Sequence, residues 1–304
     1  MTARRFFITL IVILLLAAGI DLLIGVAGHS LVSSAKGGDT ARHRYINREM
    51  TTPLLVFGSS RAIHHYDPRV LADSLGVRAY NCGADGSGII LAYMQLTNVL
   101  ARYTPSIVIY DLYGQYDFMK EPDNSKYLLW ERYFYGEGNE ALDSVFHTID
   151  KNEKWKMQSA AYRYNSRFLQ LMSDNYRPRQ NDIQGYRPLG DIPVDFVEPN
   201  PWPTVDLDDV KLEYIRRFAE KCKEHGVTLI VAVSPYYFSM PDEQLPAAVR
   251  GIFEAYDVKV LDHSEDGDFV GKRCYFSDTN HLNASGAEAY TRKIASEVRR
   301  ISGS

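Results

Sequence analysis

Two short stretches of this 304-residue sequence carry residue types that could together perform nucleophilic catalysis. The first is GSSR, in which Ser60 follows the apolar run 54–57 and the glycine Gly58. The second is DTNH, in which Asp278 precedes His281 by three residues, so in a helical turn both side chains emerge on one side. A carboxylate can orient an imidazole through one nitrogen, which leaves the other nitrogen free to take a proton from a serine hydroxyl. The three residues would then form a Ser-His-Asp relay.

Both stretches also have ordinary structural explanations. A serine pair after glycine is common in turns, and Asp278 could simply cap a turn. His64 and His65 follow the serine, but the turn signal Asp67-Pro68 comes directly behind them. We therefore expect both histidines to begin a helix or to line the rim of a site, where His65 could contact a substrate.

The cation that ends the first stretch, Arg61, has two possible roles. It could bind an anionic group of a substrate, or it could pair with Asp85. Two further carboxylates, Asp111 and Asp117, lie near the end of a predicted strand. The sequence alone gives neither of them a part in catalysis.

A glycine-rich segment, NCGADGSG, spans residues 81–88 and predicts a turn. Its glycines, Gly83, Gly86 and Gly88, superficially resemble a dinucleotide-binding loop. Their order is GxxGxG and not GxGxxG, and no acidic residue follows at the required distance. Nucleotide binding is therefore not predicted.

These stretches lie next to predicted strands and helices. Apolar runs bounded by turn residues predict five strands, at 54–57, 77–81, 106–112, 227–235 and 258–263. The spacing of apolar residues predicts helices at 67–76, 89–103, 208–224, 241–256 and 284–301. Such alternation is typical of a parallel sheet covered on both faces, in which ligands bind at the carboxyl ends of the strands.

The alternation is interrupted by an insertion at 118–202, which is rich in Tyr, Trp, Arg and Asn. Helical stretches are predicted within it at 140–149 and 155–172. An insertion of this length usually forms a lid or a subdomain over a site, although it could serve packing alone.

Residues 6–27 are almost wholly apolar, with Asp21 as their one charge, and this length is enough to cross a bilayer. The segment could be a cleaved signal peptide or an uncleaved anchor, and the lack of a clear A-x-A site favours the anchor. Arg4 and Arg5 precede it, so we expect the N-terminus inside and the remaining chain outside the cytoplasm. The predicted organisation is an anchor at 1–28, a tether at 29–52 and a main domain at 53–304.

Composition narrows the class of partner. The net charge of -4 and the pI near 6.1 argue against a nucleic-acid partner, which would need a basic face. The 21 Tyr and 3 Trp would suit a cleft that contacts sugars, although they could equally fill the core and its rim. Cys82, Cys222 and Cys274 have no metal-ligand spacing, so no metal or other cofactor is predicted. Buried free thiols are expected, with a Cys82–Cys274 disulfide as the alternative.

Taken together, the GSS turn, the glycine-rich turn and the DxxH before the last helix resemble the SGNH, or GDSL-like, hydrolase superfamily. The resemblance covers roughly residues 53–116 and 203–301. GSSR is similar to the form found in envelope-associated members, with Ser59 where the superfamily usually has Asp. The resemblance implies a three-layer, flavodoxin-like α/β fold with a five-stranded, mostly parallel sheet. It also implies Ser60 as nucleophile, His281 as general base and Asp278 as the group that orients the base.

The same resemblance implies an oxyanion hole, in which backbone N–H groups bind the negative charge of a tetrahedral intermediate. The donors would be Ser60 and Gly86, with Gly83 as the less favoured glycine. A third donor normally comes from the asparagine of a GxND block, which here is GQYD, residues 114–117. Either the Gln115 side chain or the Tyr116 hydroxyl replaces that donor, or the donor is absent.

The resemblance, taken together with the predicted anchor, implies a membrane-tethered, extracytoplasmic serine esterase or O-acyltransferase. Its expected substrates are acyl esters of cell-envelope glycans, with acetyl as the expected group, or other small esters, and its other partner is the lipid bilayer. The alternative is an inactive SGNH-like scaffold for binding or assembly in the envelope, which the altered third block supports. A redox role for Cys82 is not favoured, because the sequence has no CxxC.

Overall fold

The computed structural model describes residues 2–165, 167–179, 182–192, 195–199, 205–239 and 245–303. The chain forms two compact units. The first comprises Met1–Asn47 and Leu128–Gln180, and the second comprises Arg48–Tyr127 and Asn181–Ser304. Every candidate site residue of the sequence lies in the second unit.

The second unit is built on one five-stranded sheet. Its strands are β1 (Leu54–Gly58), β2 (Ala79–Asn81), β3 (Ile107–Asp111), β4 (Thr228–Val233) and β5 (Lys259–Asp262). The strand order is β2-β1-β3-β4-β5, and all four pairings are parallel. This is the order of flavodoxin-like sheets, so the predicted fold class is confirmed.

Helices precede and connect the strands. In chain order they are α1 (Ala3–Ser34), α2 (Gly38–Arg44), α3 (Ser60–His65), α4 (Pro68–Leu75), α5 (Ile89–Leu100), α6 (Gly114–Asp117), α7 (Glu140–Ile149), α8 (Glu153–Lys156), α9 (Ala160–Tyr164), α10 (Phe168–Tyr176), α11 (Asp209–Glu224), α12 (Ala247–Ala255) and α13 (Ala284–Ser302). Short 3-10 helices occupy Asn124–Leu128, Glu131–Phe134 and Arg273–Tyr275, and a π-helical turn occupies Tyr45–Glu49. The helix predicted at 241–256 is present as α12, with residues 241–244 outside the described part of the chain.

β1 is buried on both faces and β4 is buried after Thr228, which explains their continuous apolar runs, whereas the edge strand β5 is partly exposed. Leu54 and Val56 belong to the apolar cluster that also contains Ile294 of α13. On the opposite face, Phe57 and Tyr110 pack their rings against Phe218 of α11. Alternate residues of each strand therefore face different helical layers, and the unit has three layers.

The sheet brings the ends of its first three strands to one edge. β1 ends at Gly58, β2 at Asn81 and β3 at Asp111, and β1 lies between the other two strands. The chain leaves β1 toward β2 on one side and returns to β3 on the other side. A crevice for ligands forms where the order of a doubly wound sheet reverses in this way.

The N-terminal segment of the chain is more ordered than the predicted anchor and tether, because its helices continue beyond the apolar stretch. Helix α1 has 32 residues, and its most apolar 18-residue window has a mean hydropathy of 2.8, so it is long and apolar enough to cross a membrane. Residues 29–52, expected to be a loose connection, are largely helical in α1, α2 and the π-helical turn. The Thr40 hydroxyl donates to Asp174 Oδ2 at 2.6 Å, and the Lys36 N–H donates to the Asp174 carbonyl at 3.0 Å. These hydrogen bonds fix the segment against α10, so it is part of a folded unit.

The insertion supplies the rest of this unit. The predicted helix at 140–149 is α7, whereas the stretch predicted at 155–172 is divided among α8, α9 and α10. Polar residues cause the breaks, since Ser159 caps α9 and Asn165 ends it. The part of the insertion at 128–180 therefore forms one compact unit with the N-terminal helices.

We predict that Gly58→Ala destabilises the second unit by about 1–3 kcal/mol. Gly58 has φ +142°, and a Cβ atom there would lie 2.5 Å from the Asp111 carbonyl oxygen. Gly251→Ala is the matched control, because Gly251 lies inside α12 with no heavy atom within 4 Å of the added carbon. The control should gain roughly 0.5–1 kcal/mol of helix stability. Urea unfolding of the full chain measures both, and equal midpoints for the two variants would contradict the packing argument.

Candidate active site

The structure brings together the serine, the histidine and the aspartate that the sequence singles out. His281 Nε2 lies 2.9 Å from Ser60 Oγ. His281 Nδ1 lies 2.9 Å from Asp278 Oδ2 and 3.0 Å from Asp278 Oδ1. All three side chains are partly exposed, so a substrate can reach them. The arrangement allows a proton to pass from the serine to an imidazole that a carboxylate orients.

The environment of Asp278 keeps this carboxylate ionised. Burial by itself would raise its pKa, but hydrogen bonds from the His281 side chain and from two backbone N–H groups lower the pKa below the ordinary value. Those N–H groups belong to Asn280 and His281, at 2.8 and 2.9 Å from Asp278 Oδ1. An ionised carboxylate stabilises the imidazolium that forms when His281 takes a proton.

The loop that carries Asp278 and His281 is closed on itself. The Ser277 N–H donates to the His281 carbonyl at 2.8 Å, and Phe276 forms an antiparallel bridge with Leu282. The Asn283 side chain then caps α13 by accepting from the Gly286 N–H at 2.9 Å. The loop therefore has a fixed conformation before the last helix begins.

Ser60 is the first residue of α3, directly after the turn at the end of β1. The Ser59 side chain caps this helix by accepting from the Arg61 N–H at 3.3 Å. A serine can therefore perform the capping role of an aspartate here. The Ser60 N–H, at the first helical position, has no intrahelical acceptor and is free to bind an oxyanion.

Asn81 connects the first turn with the glycine-rich turn. Its side-chain amide donates to the carbonyls of Ala62 and Tyr66 at 2.7 and 2.9 Å. Its side-chain oxygen accepts from the Gly83 N–H at 2.9 Å. The Gly83 N–H is therefore already engaged, which agrees with its lower rank as an oxyanion donor. Asn81 was not among the predicted site residues, because nothing in the segment 81–88 indicates which carbonyl groups its side chain would reach.

Gly86 differs from Gly83. It is exposed, has φ +63°, and its N–H has no hydrogen-bond acceptor among the described residues. This N–H is available to a ligand, as an oxyanion donor must be.

The third block lies against the glycine-rich turn. A Cβ atom at Gly88 would lie 2.5 Å from both Asp117 Oδ1 and the Tyr116 carbonyl oxygen, so only glycine permits this approach. Asp117 accepts from the Ile89 N–H at 2.8 Å and from the Tyr110 hydroxyl at 2.6 Å. Burial raises the pKa of Asp117 to about 7. Asp117 thus connects β3, α6 and the start of α5.

Gln115 and Tyr116 have different surroundings. The Gln115 side chain is exposed, and its oxygen accepts from the Tyr113 hydroxyl at 3.2 Å. Tyr116 is half-buried, and its pKa is raised by burial first and then by the negative charges of Glu121 and Asp85. A Cβ atom at Gly88 would lie 2.5 Å from the Tyr116 carbonyl oxygen, so Tyr116 lies beside the glycine-rich turn that contains Gly86. A raised pKa keeps the Tyr116 phenol protonated, so it can donate.

Arg61 differs from the expected substrate-binding role. It is fully buried, and its guanidinium donates to the carbonyls of Ser234, Pro235 and Asn280. Its Nε lies 4.0 Å from Asp111 Oδ2, and its guanidinium lies 3.8 Å from the centre of the Tyr236 ring. A side chain enclosed in this way cannot reach a bound substrate. It does not pair with Asp85, which instead contacts His64 and Arg187.

His65, the other predicted substrate contact, is also fully buried. Its Nε2 accepts from the Leu282 N–H at 3.0 Å, so the proton lies on Nδ1, which donates to Ser234 Oγ at 2.9 Å. Burial, followed by the positive charge of Arg61, lowers the pKa of His65 well below 6.5. His65 is therefore neutral, and it links α3 to the loop that carries Asp278 and His281 through its hydrogen bond with Leu282. His64 lies nearer the surface, with its ring 5.5 Å from that of His281.

Ser234 is the residue that the sequence analysis did not consider. Its hydroxyl donates to Asp111 Oδ2 at 3.2 Å, and its N–H donates to Asp111 Oδ1 at 3.2 Å. The same hydroxyl oxygen accepts from Arg61 and His65. A serine followed by Pro235 at the end of β4 could have been recognised by the rule that drew attention to Ser60. Asp111 likewise proves to be the counter-charge of Arg61.

The cysteines form no bond with one another. Cys82 and Cys222 are buried thiols that form no disulfide, as predicted, whereas Cys274 is exposed and differs from the prediction of buried thiols. Across the described ranges, no group of three or more His, Cys, Asp or Glu side chains is placed to bind a metal ion.

We predict that His65 makes the protein less stable as the pH falls below about 6.5. The folded protein keeps His65 neutral, so the unfolded chain binds one more proton between the lowered pKa and 6.5, and stability falls with the pH. When the pH falls from 7.5 to 5.5, the free energy of unfolding should decrease by about 1.4 kcal/mol less in His65→Gln than in the unaltered chain. Glutamine can still accept from Leu282 and donate to Ser234. Parallel pH profiles in the unaltered chain and the variant would contradict the assignment of a neutral His65.

No family profile matches the chain, and no curated protein matches it. Among solved structures, a lipolytic protein of the G-D-S-L family from Desulfitobacterium hafniense DCB-2 has 12% identity and a TM-score of 0.37, over 80% of this chain and 98% of its own. A GDSL-like lipase from Bacteroides thetaiotaomicron has 12% identity and a TM-score of 0.37, over 85% and 97%. An acylhydrolase from Bacteroides fragilis has 11% identity and a TM-score of 0.37, over 85% and 96%.

The chain is thus similar to GDSL-type lipolytic proteins and acylhydrolases.

Proposed function

We propose that this protein is a serine esterase or O-acyltransferase of the SGNH type. The observation that supports it most is the unbroken series of contacts from Ser60 Oγ to His281 and from His281 to Asp278. Two residues of this series lie 221 positions apart in the chain, so their contact is a product of the fold. A hydroxyl in contact with a carboxylate-oriented imidazole is the arrangement that nucleophilic acyl transfer needs.

The proposed reaction has two halves. Ser60 Oγ attacks the carbonyl carbon of an ester while His281 Nε2 takes the hydroxyl proton, which gives a tetrahedral intermediate. The intermediate collapses to an acyl-serine, and His281 returns the proton to the departing alcohol oxygen. In the second half His281 takes a proton from water or from a sugar hydroxyl, whose oxygen attacks the acyl-serine and releases Ser60. Water gives hydrolysis, and a sugar gives transfer.

The negative charge of the tetrahedral intermediate requires donors that are in place before the reaction. We assign the N–H groups of Ser60 and Gly86 to this role. For the donor that replaces the missing asparagine we favour the Tyr116 hydroxyl over Gln115, because Tyr116 is half-buried and its backbone packs against Gly88 of the glycine-rich turn, whereas the Gln115 side chain is exposed.

The proposed setting is the outer side of a membrane. Helix α1 would anchor the chain, and the basic residues Arg4 and Arg5 before it favour an inside N-terminus. An active site held beside the membrane on that side would act on acyl, especially acetyl, esters of envelope glycans. The likeness of GSSR to envelope-associated SGNH proteins supports the same substrate class.

The competing function is a catalytically inactive scaffold with the same sheet. The GQYD block supports it, since the usual asparagine donor is lacking. The contact between Ser60 and His281 favours the enzyme, because a binding scaffold has no need of a serine hydroxyl against an oriented imidazole.

We predict that a fluorophosphonate probe labels the full-length protein at Ser60. Such probes react with activated serines, and Ser60→Ala should lose the label entirely, while Asp278→Asn should slow labelling because the imidazole loses its orientation. Ser144→Ala is a control, because Ser144 is an exposed serine of α7 outside the site. Labelling that is absent from the unaltered chain, or unchanged in Ser60→Ala, would favour the scaffold.

We predict that Tyr116→Phe lowers kcat for p-nitrophenyl acetate by about 10²–10³, the usual cost of losing one oxyanion donor. The KM should change little, because the hydroxyl acts mainly on the charge of the intermediate. Gln115→Ala is the matched variant and should retain activity. The reverse pattern, with Gln115→Ala impaired and Tyr116→Phe active, would give the third donor to Gln115.

A further inference from the structure

The first unit exposes large apolar side chains outside α1. They are Trp155, which is 72% exposed, and four residues of α10, namely Phe168 (39%), Leu169 (83%), Met172 (40%) and Tyr176 (74%). The spacing of Leu169, Met172 and Tyr176 places them on one side of α10. We call Trp155 and these four α10 residues the apolar face. An exposed set of this kind in a folded unit usually marks an interaction surface.

The opposite side of α10 is fixed to the N-terminal helices. The Asn175 side chain donates to the Leu31 carbonyl at 2.8 Å and accepts from the Ser34 hydroxyl at 2.8 Å. Asp174 accepts from Thr40 of α2. These contacts give α10 a fixed position on α1, so the apolar face cannot turn inward without breaking them.

Asp21 determines where the insertion meets α1. It is the one charged residue of the apolar stretch, and its carboxylate accepts from the Ser159 hydroxyl at 2.7 Å. It also accepts from the N–H groups of Ala160 and Ala161 at 2.9 and 2.8 Å. The start of α9 therefore lies beside Asp21. Farther along α1, a Cβ atom at Gly28 would lie 2.5 Å from the Tyr164 ring, so glycine allows close packing there.

The position of Asp21 along α1 gives a depth. At 1.5 Å per residue, Asp21 lies about 22 Å from Phe6, the first residue after the N-terminal arginines. The hydrocarbon core of a bilayer is about 30 Å thick and would extend from Phe6 to about Val26. Asp21 and the start of α9 would then lie about 8 Å inside the outer boundary of the core. Trp155 is four residues before Ser159, which contacts Asp21, so we place Trp155 at a similar depth in the bilayer.

The composition of the apolar face suits the boundary of a bilayer. Trp and Tyr are enriched at membrane interfaces because their rings are apolar and their tips are polar. Exposed cations flank the face, with Lys151 and Lys154 near Trp155 and Arg177 next to Tyr176. They would attract anionic headgroups.

We propose that the apolar face lies across the outer boundary between the headgroups and the acyl chains of the phospholipid bilayer that α1 crosses, with Trp155 and Leu169 turned toward the lipid chains. This inference deepens the proposed anchoring and depends on it. The insertion is then seated in the membrane against one side of the outer part of α1. Its contact with Asp21 removes an unpaired carboxylate from the lipid boundary.

The first test uses the full-length chain in vesicles of phosphatidylcholine and phosphatidylglycerol, with or without phosphatidylcholine brominated near the top of its acyl chains. Trp155→Phe measures the background from the other two tryptophans, of which Trp130 is only 9% exposed. The emission that disappears in this variant belongs to Trp155. We expect the brominated lipid to quench about half of it or more, as for interfacial tryptophan.

The second test places a nitroxide on Leu169→Cys in a Cys274→Ser background, because Cys274 is the exposed native thiol. Oxygen concentrates in lipid and a nickel chelate stays in water. We expect the label to be more accessible to oxygen than to the chelate.

An alkaline carbonate wash distinguishes failure of the α1 anchor from failure of the proposed contact between the apolar face and the bilayer. A chain that is released from the vesicles would overturn both the anchor and the seated insertion. A chain that is retained, with Trp155 unquenched and the label open to the nickel chelate, would leave the anchor intact and overturn the seated insertion. The apolar face would then be a surface for a protein.

Discussion

The candidate site depends on a buried cation that keeps two distant parts of the chain together. Arg61 directly follows Ser60, and its guanidinium donates to the carbonyls of Ser234 and Asn280. Asn280 immediately precedes His281, so one side chain connects the helix that begins at Ser60 with the loop that carries His281. Asp111 supplies the opposite charge inside the protein. Removing either partner would leave an uncompensated buried charge, which costs far more than an exposed ion pair contributes.

Close backbone approach is the second constraint on the site. Gly58, Gly83 and Gly88 lie where a side-chain carbon would meet another part of the chain within 3 Å. Each allows one turn at the edge of the sheet to pack against the next. Asp117 then joins the third block to the start of α5 through hydrogen bonds from Ile89 and Tyr110. The altered GQYD block therefore retains its structural contacts through Asp117, and its one departure from the GxND pattern is Tyr116.

The first unit shows how a charge in an apolar helix can be accommodated. In the sequence, Asp21 is only an interruption of a hydrophobic run. In the structure its carboxylate accepts hydrogen bonds from the hydroxyl of Ser159 and the N–H groups that begin α9, so it organises the insertion. The segment at 29–52 was expected to be a tether because it is polar and contains several charges. It is helical because its polar groups find partners such as Asp174 in α10.

The sequence by itself determined the sheet, since buried strands of a parallel sheet are continuous apolar runs and the turns after them are marked by glycine and serine. It also determined the pairing of Asp278 with His281, because His281 follows Asp278 by three positions and a local turn is enough to bring the two side chains together. Only the tertiary structure decided the roles of Arg61 and His65. A charged residue beside a candidate nucleophile, such as Arg61, could equally bind a substrate or pair with a buried group. Its partners, Ser234 and Asp111, come from the ends of strands that are distant in the chain. The sequence likewise predicted the membrane-spanning length of α1 but not its contact with α9, because the acceptor and the donors of that contact are separated by about 140 residues.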